Sequence, residues 1–245
     1  MTAPIDLAQT TWGSGDRRFL IVHGLSNNSE GWWRVGPALA DAGFHVTSVD
    51  LRGHGKSDKP GDYGMAAYAA DLLAVADRWE VVLGHSLGGS AVIQALVEQP
   101  TWCERVVLED PLLAILDVDT AVEYVTTDYG PDVTLEMISA NNPTWHPEDA
   151  RIKLDAQLEA GREVIENSII HNPGMNLVGS VAVLELPTLM LGADPELGAL
   201  VEPALGTSLA EMNPNIEFRT VIGGSHSMHR DEFDEFMRLV LEFAG

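Results

Sequence analysis

The chain has 245 residues, of which 45% are apolar, and its formal net charge at pH 7 is −23. This length allows one large domain or two small ones, with enough chain for a sizeable core. The charge argues against nucleic acid and against anionic membranes as partners, because both would repel so acidic a protein. The acidic residues are scattered rather than gathered in a tail, which is typical of a highly soluble surface.

The single cysteine, Cys103, excludes an internal disulfide and fits a reducing compartment. It lies in no Cys/His spacing typical of a metal site, so we expect no metal. Residues 1–6 lack the basic and apolar regions of a signal peptide. No uncharged apolar stretch reaches the roughly 18 residues that cross a membrane. We therefore expect a cytoplasmic protein.

Strand patterns alternate with helix patterns along most of the chain. The strands are predicted at 5–12 (a weak candidate), 19–22, 46–49, 80–83, 105–108, 188–191 and 216–222. The helices are predicted at 29–42, 65–77, 91–99, 201–212 and 231–243. The apolar run at 19–22 is typical of a strand buried on both faces of a parallel sheet. This alternation predicts an α/β fold, with a mainly parallel twisted sheet and helices on both faces.

The alternation stops between residues 112 and 184. Within this stretch the segment 147–168 has a strongly helical composition, and prolines interrupt the remainder. We expect residues 112–184 to be a helical insertion, and residues 1–111 and 185–245 to form the core.

The predicted strand at 80–83 leads into Gly84-His85-Ser86-Leu87-Gly88, and a helix pattern follows. A Gly-x-Ser-x-Gly sequence between a strand and a helix is typical of a sharp turn that exposes its serine at the end of a sheet. The glycines are needed because a Cβ at either position would crowd the turn. The alternative is an ordinary loop whose serine caps the helix. We predict Ser86 to be a nucleophile.

Several polar side chains capable of chemistry stand where the predicted strands end. They are His23, Asp50, Ser86, Glu109, Asp110, Asp194 and His226. In open parallel sheets, ligands bind outside the carboxyl ends of the strands. We therefore expect the functional site at this edge of the sheet.

Five motifs together make the chain resemble the α/β-hydrolase family. They lie at 23–26, 50–57, 84–89, 191–194 and 223–226, and they leave only the helical insertion unmatched. The order serine, acid, histidine is also the order that this fold uses. The resemblance implies an α/β-hydrolase fold in which the insertion, 112–184, is a cap over the site.

The resemblance also implies a catalytic triad. Ser86 would be the nucleophile, His226 the general base and Asp194 the acid that orients it. Two other carboxylates, Glu109 and Asp110, follow the preceding strand, where some members of the family place the acid instead.

An anionic tetrahedral intermediate needs hydrogen-bond donors. The resemblance places them at the backbone N–H groups of Leu25 and Leu87. Five side chains are candidates for the lining of a substrate pocket. They are Trp33, Glu109, Met137, Trp145 and Met175.

We therefore expect a cofactor-free serine hydrolase that cleaves a small apolar ester or lactone through an acyl-enzyme. Three alternatives stay open. They are a carbon–carbon bond hydrolase of the same fold, a perhydrolase or haloperoxidase-like enzyme, and a non-catalytic receptor for a small molecule, since fold alone never decides function. The sequence leaves the oligomeric state open.

Overall fold

The computed structural model describes residues 3–127 and 132–245. Its strands are β1 (Gln9–Trp12), β2 (Arg17–Val22), β3 (Phe44–Val49), β4 (Trp79–His85), β5 (Cys103–Glu109), β6 (Thr188–Gly192) and β7 (Ile216–Thr220). The described strands form one seven-stranded sheet in the order β1-β3-β2-β4-β5-β6-β7. β1 pairs antiparallel with β3, and the other neighbouring strands of this sheet pair in parallel.

The central strands are apolar on both faces, so helices cover both sides of the sheet. In β2, Leu20 packs into the core on one face and Ile21 into the core on the other, because successive side chains of a strand point in opposite directions. Both are fully buried. The predicted α/β architecture, a mainly parallel sheet with helices on both faces, is confirmed.

The helices are α1 (Val35–Asp41), α2 (Met65–Val75), α3 (Leu87–Glu98), α4 (Val118–Thr127), α5 (Leu135–Asn141), α6 (Pro147–Ile170), α7 (Val178–Val181), α8 (Pro203–Met212), α9 (Met228–Asp231) and α10 (Phe233–Ala244). Helices α2, α3 and α8 contribute to the core on one face of the sheet, and α1 and α10 to the core on the other. Short 3-10 turns lie at Ser29–Trp32 and Pro195–Leu197. None of the described helices is long and apolar enough to cross a membrane.

The chain between β5 and β6 carries α4 to α7; we call residues 112–184 the helical segment. Its longest helix, α6, changes direction at Gly161, where φ is 76°. That positive φ suits glycine, which lacks the Cβ that disfavours this region in other residues. After the bend, Val164 and Ile165 join the core beside α2. The first half of α6 lies near the turn at Ser29–Trp32, at the end of the sheet where β2 and β4 terminate.

Candidate functional site

Ser86 occupies a strained turn between β4 and α3. Its backbone angles are φ 52° and ψ −119°, a conformation that L-residues rarely adopt. A Cβ on Gly84 would lie 2.8 Å from the Cα of Gly89, and one on Gly88 would lie 2.5 Å from the carbonyl oxygen of Val22. Only glycine therefore fits at these two positions, as the motif predicts.

The loop that follows β2 packs directly against this turn. A Cβ on Gly24 would meet the Cβ of Ser86 at 2.9 Å, so the backbone passes over the serine at close range. Leu25 is the next residue in that loop. Leu87 begins α3, where a backbone N–H has no partner within the helix. The structure therefore brings both predicted donor residues next to Ser86.

His226 lies beside the same turn and is bound by a buried carboxylate. Its carbonyl accepts a hydrogen bond from His85 Nε2 at 2.8 Å, and the two rings are 4.7 Å apart. Its Nδ1 lies 2.7 Å from Oδ2 of Asp110. Asp110 is fully buried, whereas the His226 side chain is 35% exposed. No hydrogen bond joins Ser86 Oγ to His226 in the described part of the chain, and such bonds often tighten only when substrate binds.

The prediction that Asp194 is the acid in contact with His226 is wrong. The Asp194 carboxylate accepts hydrogen bonds from the backbone N–H groups of Glu196 and Gly223, each at 3.0 Å. These two bonds hold the pKa of Asp194 below its ordinary value. Asp194 therefore caps the turn that begins at Pro195, and its oxygens are committed to that local role.

Asp110 meets His226 because of its place in the sheet. It follows β5, which pairs with β4, and the Ser86 N–H donates to the Glu109 carbonyl at 3.0 Å. The backbone turns there with φ 37° at Asp110. The backbone N–H groups of Leu200 and Val201 also donate to the Asp110 carboxylate, at 2.9 to 3.1 Å. These bonds hold the carboxylate facing the His226 loop.

Glu109, an expected pocket residue, is fully buried and faces another histidine. Its Oε1 accepts from the backbone N–H of His229 at 3.0 Å and lies 2.8 Å from Nδ1 of the same residue. Burial raises the pKa of the Glu109 carboxyl to about 8. Burial also lowers the pKa of His229 well below its ordinary value, and the nearby Arg230 lowers it further. The pocket assignment for Glu109 is therefore wrong, because its carboxylate is sealed in the protein interior.

The other four expected pocket residues lie in different surroundings. Trp33 donates from Nε1 to Oδ1 of Asp149 at 2.9 Å. The Arg230 guanidinium lies over the Trp145 ring, 4.4 Å from the ring centre, and Trp145 lines a groove of about 390 Å³. Met137 is 49% exposed on α5. Met175 packs against the main core. The structure thus brings the two tryptophans towards Arg230 and Asp149, and it leaves the two methionines elsewhere.

Three charged residues near the site were not singled out from the sequence. Arg230 is buried in α9, where its Nη2 donates to Asn27 at 3.1 Å and its Nε lies 4.0 Å from Oδ1 of Asp149. On α6, Lys153 donates from Nζ to the carbonyl oxygen and the hydroxyl of Ser26. The only sequence signal was the spacing of Asp149 and Lys153, four residues apart and so on one face of a helix. An acidic and a basic residue four positions apart are common on ordinary helices, so that spacing alone does not mark a site.

Among the described residues, no cluster of three or more His, Cys, Asp or Glu side chains could hold a metal ion. The groups gathered at the end of the sheet are a strained serine, a partly exposed imidazole bound to a buried carboxylate, and two backbone N–H groups. This set suits attack on a carbonyl by an activated hydroxyl.

The curated proteins that match part of the chain include the following two. An uncharacterized protein of Mycobacterium tuberculosis (strain H37Rv) is 45% identical over 101 residues, which are 39% of this chain and 29% of that protein. A pimeloyl-acyl-carrier-protein methyl ester esterase of Edwardsiella ictaluri is 37% identical over 90 residues, which are 37% of this chain and 34% of that protein. The chain thus spans less than half the length of these relatives.

Solved structures match nearly the whole chain. The enol-lactonase of Burkholderia xenovorans LB400 superposes with a TM-score of 0.80 at 21% identity, over 97% of this chain and 95% of that one. The model of the family described as alpha/beta hydrolase fold matches residues 17–159, more than half of the sequence. The protein therefore belongs to the α/β hydrolase fold family.

Proposed function

We propose that the protein is a serine hydrolase that cleaves an ester or a lactone through an acyl-enzyme. The observation that carries this proposal is the 2.7 Å contact between Asp110 and Nδ1 of His226, made beside a serine in a strained turn. The methyl ester esterase and the enol-lactonase among the similar proteins favour the same bond types.

In the proposed mechanism, Asp110 accepts the Nδ1–H of His226, which leaves Nε2 free to take a proton. His226 removes the proton of the Ser86 hydroxyl as Ser86 Oγ attacks the carbonyl carbon. The tetrahedral intermediate forms, and His226 then gives its proton to the leaving oxygen. A water molecule, activated by the same imidazole, releases the acid product and restores the serine.

The proposed donors for the intermediate are the backbone N–H groups of Leu25 and Leu87. Donors of this kind stabilise the oxygen as its charge develops. The close packing of Gly24 on Ser86 supports this role, since it keeps the two loops together. We also propose that the helical segment, 112–184, is a cap that limits access to this site and that residues 1–111 and 185–245 are the core.

The first test is a fluorophosphonate probe together with a panel of p-nitrophenyl esters and lactones. We expect the wild type to be labelled, and we expect Ser86→Ala to lose both labelling and turnover, by about 10⁴–10⁶ in kcat. Ser90→Ala is the matched control, because Ser90 is a buried serine one turn further along α3 whose hydroxyl donates to Leu112 O. This variant should still be labelled.

Wild-type protein that stays unlabelled and turns over none of these substrates would contradict the proposal. That result would favour a receptor that binds a small molecule without catalysis. A folded Ser86→Ala variant that keeps more than a few per cent of wild-type kcat would exclude the covalent mechanism.

A further inference from the structure

We propose that Lys153 is a positioning residue for the loop that carries the Leu25 N–H, so that the helical segment acts on the chemical step as well as on access. This inference rests on the proposed function. Lys153 lies in α6, and its Nζ is 3.0 Å from the carbonyl oxygen of Ser26 and 2.7 Å from its hydroxyl. Ser26 directly follows Leu25 in the chain.

The loop needs such support because its backbone is strained. Ser26 is fully buried with a φ of 53°, in a region that is costly for residues with a Cβ. Such conformations persist only where the surroundings impose them. The Ser26 hydroxyl donates to the Leu25 carbonyl at 2.6 Å, and Lys153 binds both that hydroxyl and the Ser26 carbonyl. The amine thus holds the peptide that lies next to the proposed donor.

The Lys153 amine is held in surroundings that are unfavourable to its charge. Burial and the nearby Arg230 lower its pKa well below the ordinary value for lysine. A titratable group whose surroundings disfavour its charged form is more often functional when it lies beside a candidate active site. Whether or not the amine is protonated, it has at least two N–H bonds, so it can donate to both Ser26 oxygens.

A second contact links α6 to the same loop. Asp149, one turn before Lys153, lies 4.0 Å from Arg230, and Arg230 donates to Asn27 at 3.1 Å. Arg230 directly follows His229 in the segment that carries His226. One face of α6 is therefore connected both to the Leu25 loop and to the segment of the proposed base.

The test compares Lys153→Met with Lys59→Met. Lys59 is the matched control because its amine also joins the core to α6, through the carbonyl oxygens of Glu159 and Ala160, but it does not contact the Leu25 loop. We expect Lys153→Met to lower kcat by about 10- to 100-fold with little change in KM, since losing one such donor outright costs about 10²–10³. Lys59→Met should leave kcat close to the wild-type value.

Labelling by the fluorophosphonate separates this inference from the proposed function. Lys153→Met should be labelled at Ser86, but more slowly than the wild type, because the probe's phosphoryl oxygen uses the same donors. If the wild type is neither labelled nor active, the proposed function fails. If the wild type is active and Lys153→Met behaves like Lys59→Met, only the present inference fails.

Two further outcomes are decisive. A loss confined to KM, seen for esters that carry a carboxylate and not for neutral ones, would mean that Lys153 binds substrate and would overturn a positioning role. If Lys153→Met does not fold, as judged by urea unfolding, Lys153→Gln replaces it. The Gln amide nitrogen lies one bond nearer the backbone than Nζ, so it should not reach both Ser26 oxygens, and kcat should fall. A kcat for this variant equal to that of the wild type would overturn the proposal.

Discussion

Two carboxylates that are neighbours in the sequence bind two histidines of one short segment, yet the two pairs differ. Asp110 binds His226, whose side chain is 35% exposed beside Ser86. Glu109 binds His229, whose side chain is 1% exposed and stacks on Trp32 at 4.3 Å. The residue types are nearly the same in both pairs. What separates them is whether the second ring nitrogen of the histidine can reach a reacting group.

The burial of the Glu109–His229 pair also decides its charge. Burial raises the pKa of Glu109 and lowers that of His229, so both groups favour their neutral forms. Neither Oε2 of Glu109 nor Nε2 of His229 has a hydrogen-bond partner among the described residues. An ion pair here would leave charge unsatisfied in the interior, which is costly. The pair therefore serves to hold the segment after β7 against the end of β5.

The largest expected difference between the two pairs is in turnover. Asp110→Asn should lower kcat by about 10⁴, because the imidazole would take the wrong tautomer. Glu109→Gln should retain most of the kcat, because the amide oxygen can still accept from His229. Steady-state kinetics on the best ester of the panel gives both values. Equal losses in the two variants would show that the two pairs act as one catalytic unit.

The next difference is in how stability depends on pH. The pKa of Glu109 is about 8 in the folded protein, against about 4.3 for an unfolded chain. Between these two pKa values the folded state binds more protons than the unfolded chain does. The contribution of Glu109 to stability is therefore lost as the pH rises through about 8. Glutamine does not titrate. The free energy of unfolding of Glu109→Gln, minus that of the wild type, should therefore rise from about pH 5 to pH 8.

Urea unfolding at fixed ionic strength measures this difference. Glu104→Gln is the control, since Glu104 is 52% exposed and forms a surface ion pair with Arg78. Its difference from the wild type should stay nearly constant over the same range. A difference for Glu109→Gln that stays constant over this range would show that Glu109 is already ionised in the folded protein at about pH 5, which would contradict the raised pKa.

The smallest effect on turnover should come from Asp194→Asn. Asp194 caps a short turn and accepts from Gly223, and asparagine caps such turns about as well as aspartate, so the change should lower stability only slightly. Its kcat should stay far above that of Asp110→Asn, since Asp194 does not contact His226. Thermal unfolding and kinetics on the same preparation test both points. A loss in kcat as large as that of Asp110→Asn would restore Asp194 as the acid.

The amino-acid sequence by itself determined the fold class and the serine turn. Strongly apolar runs such as 19–22 form strands buried on both faces, because a parallel sheet covered by helices on both sides hides every side chain of such a run from water. Gly84 and Gly88 predict the turn because a Cβ at either position would clash with the backbone where strand, loop and helix meet. Both inferences depend on neighbours along the chain, so a linear pattern carries them.

The choice of the carboxylate that meets His226 was decided only by the tertiary structure. Asp194 and Asp110 each follow an apolar strand, and nothing in their local sequence separates them. In the folded chain, the Asp194 carboxylate caps its own turn. Asp110 instead faces His226, because the backbone N–H groups of Leu200 and Val201 bind its carboxylate from 90 and 91 positions away in the sequence. The contact of Lys153 with Ser26, 127 positions away, has the same origin. Such long-range contacts depend on how the strands and the helical segment pack together, and sequence spacing does not record that packing.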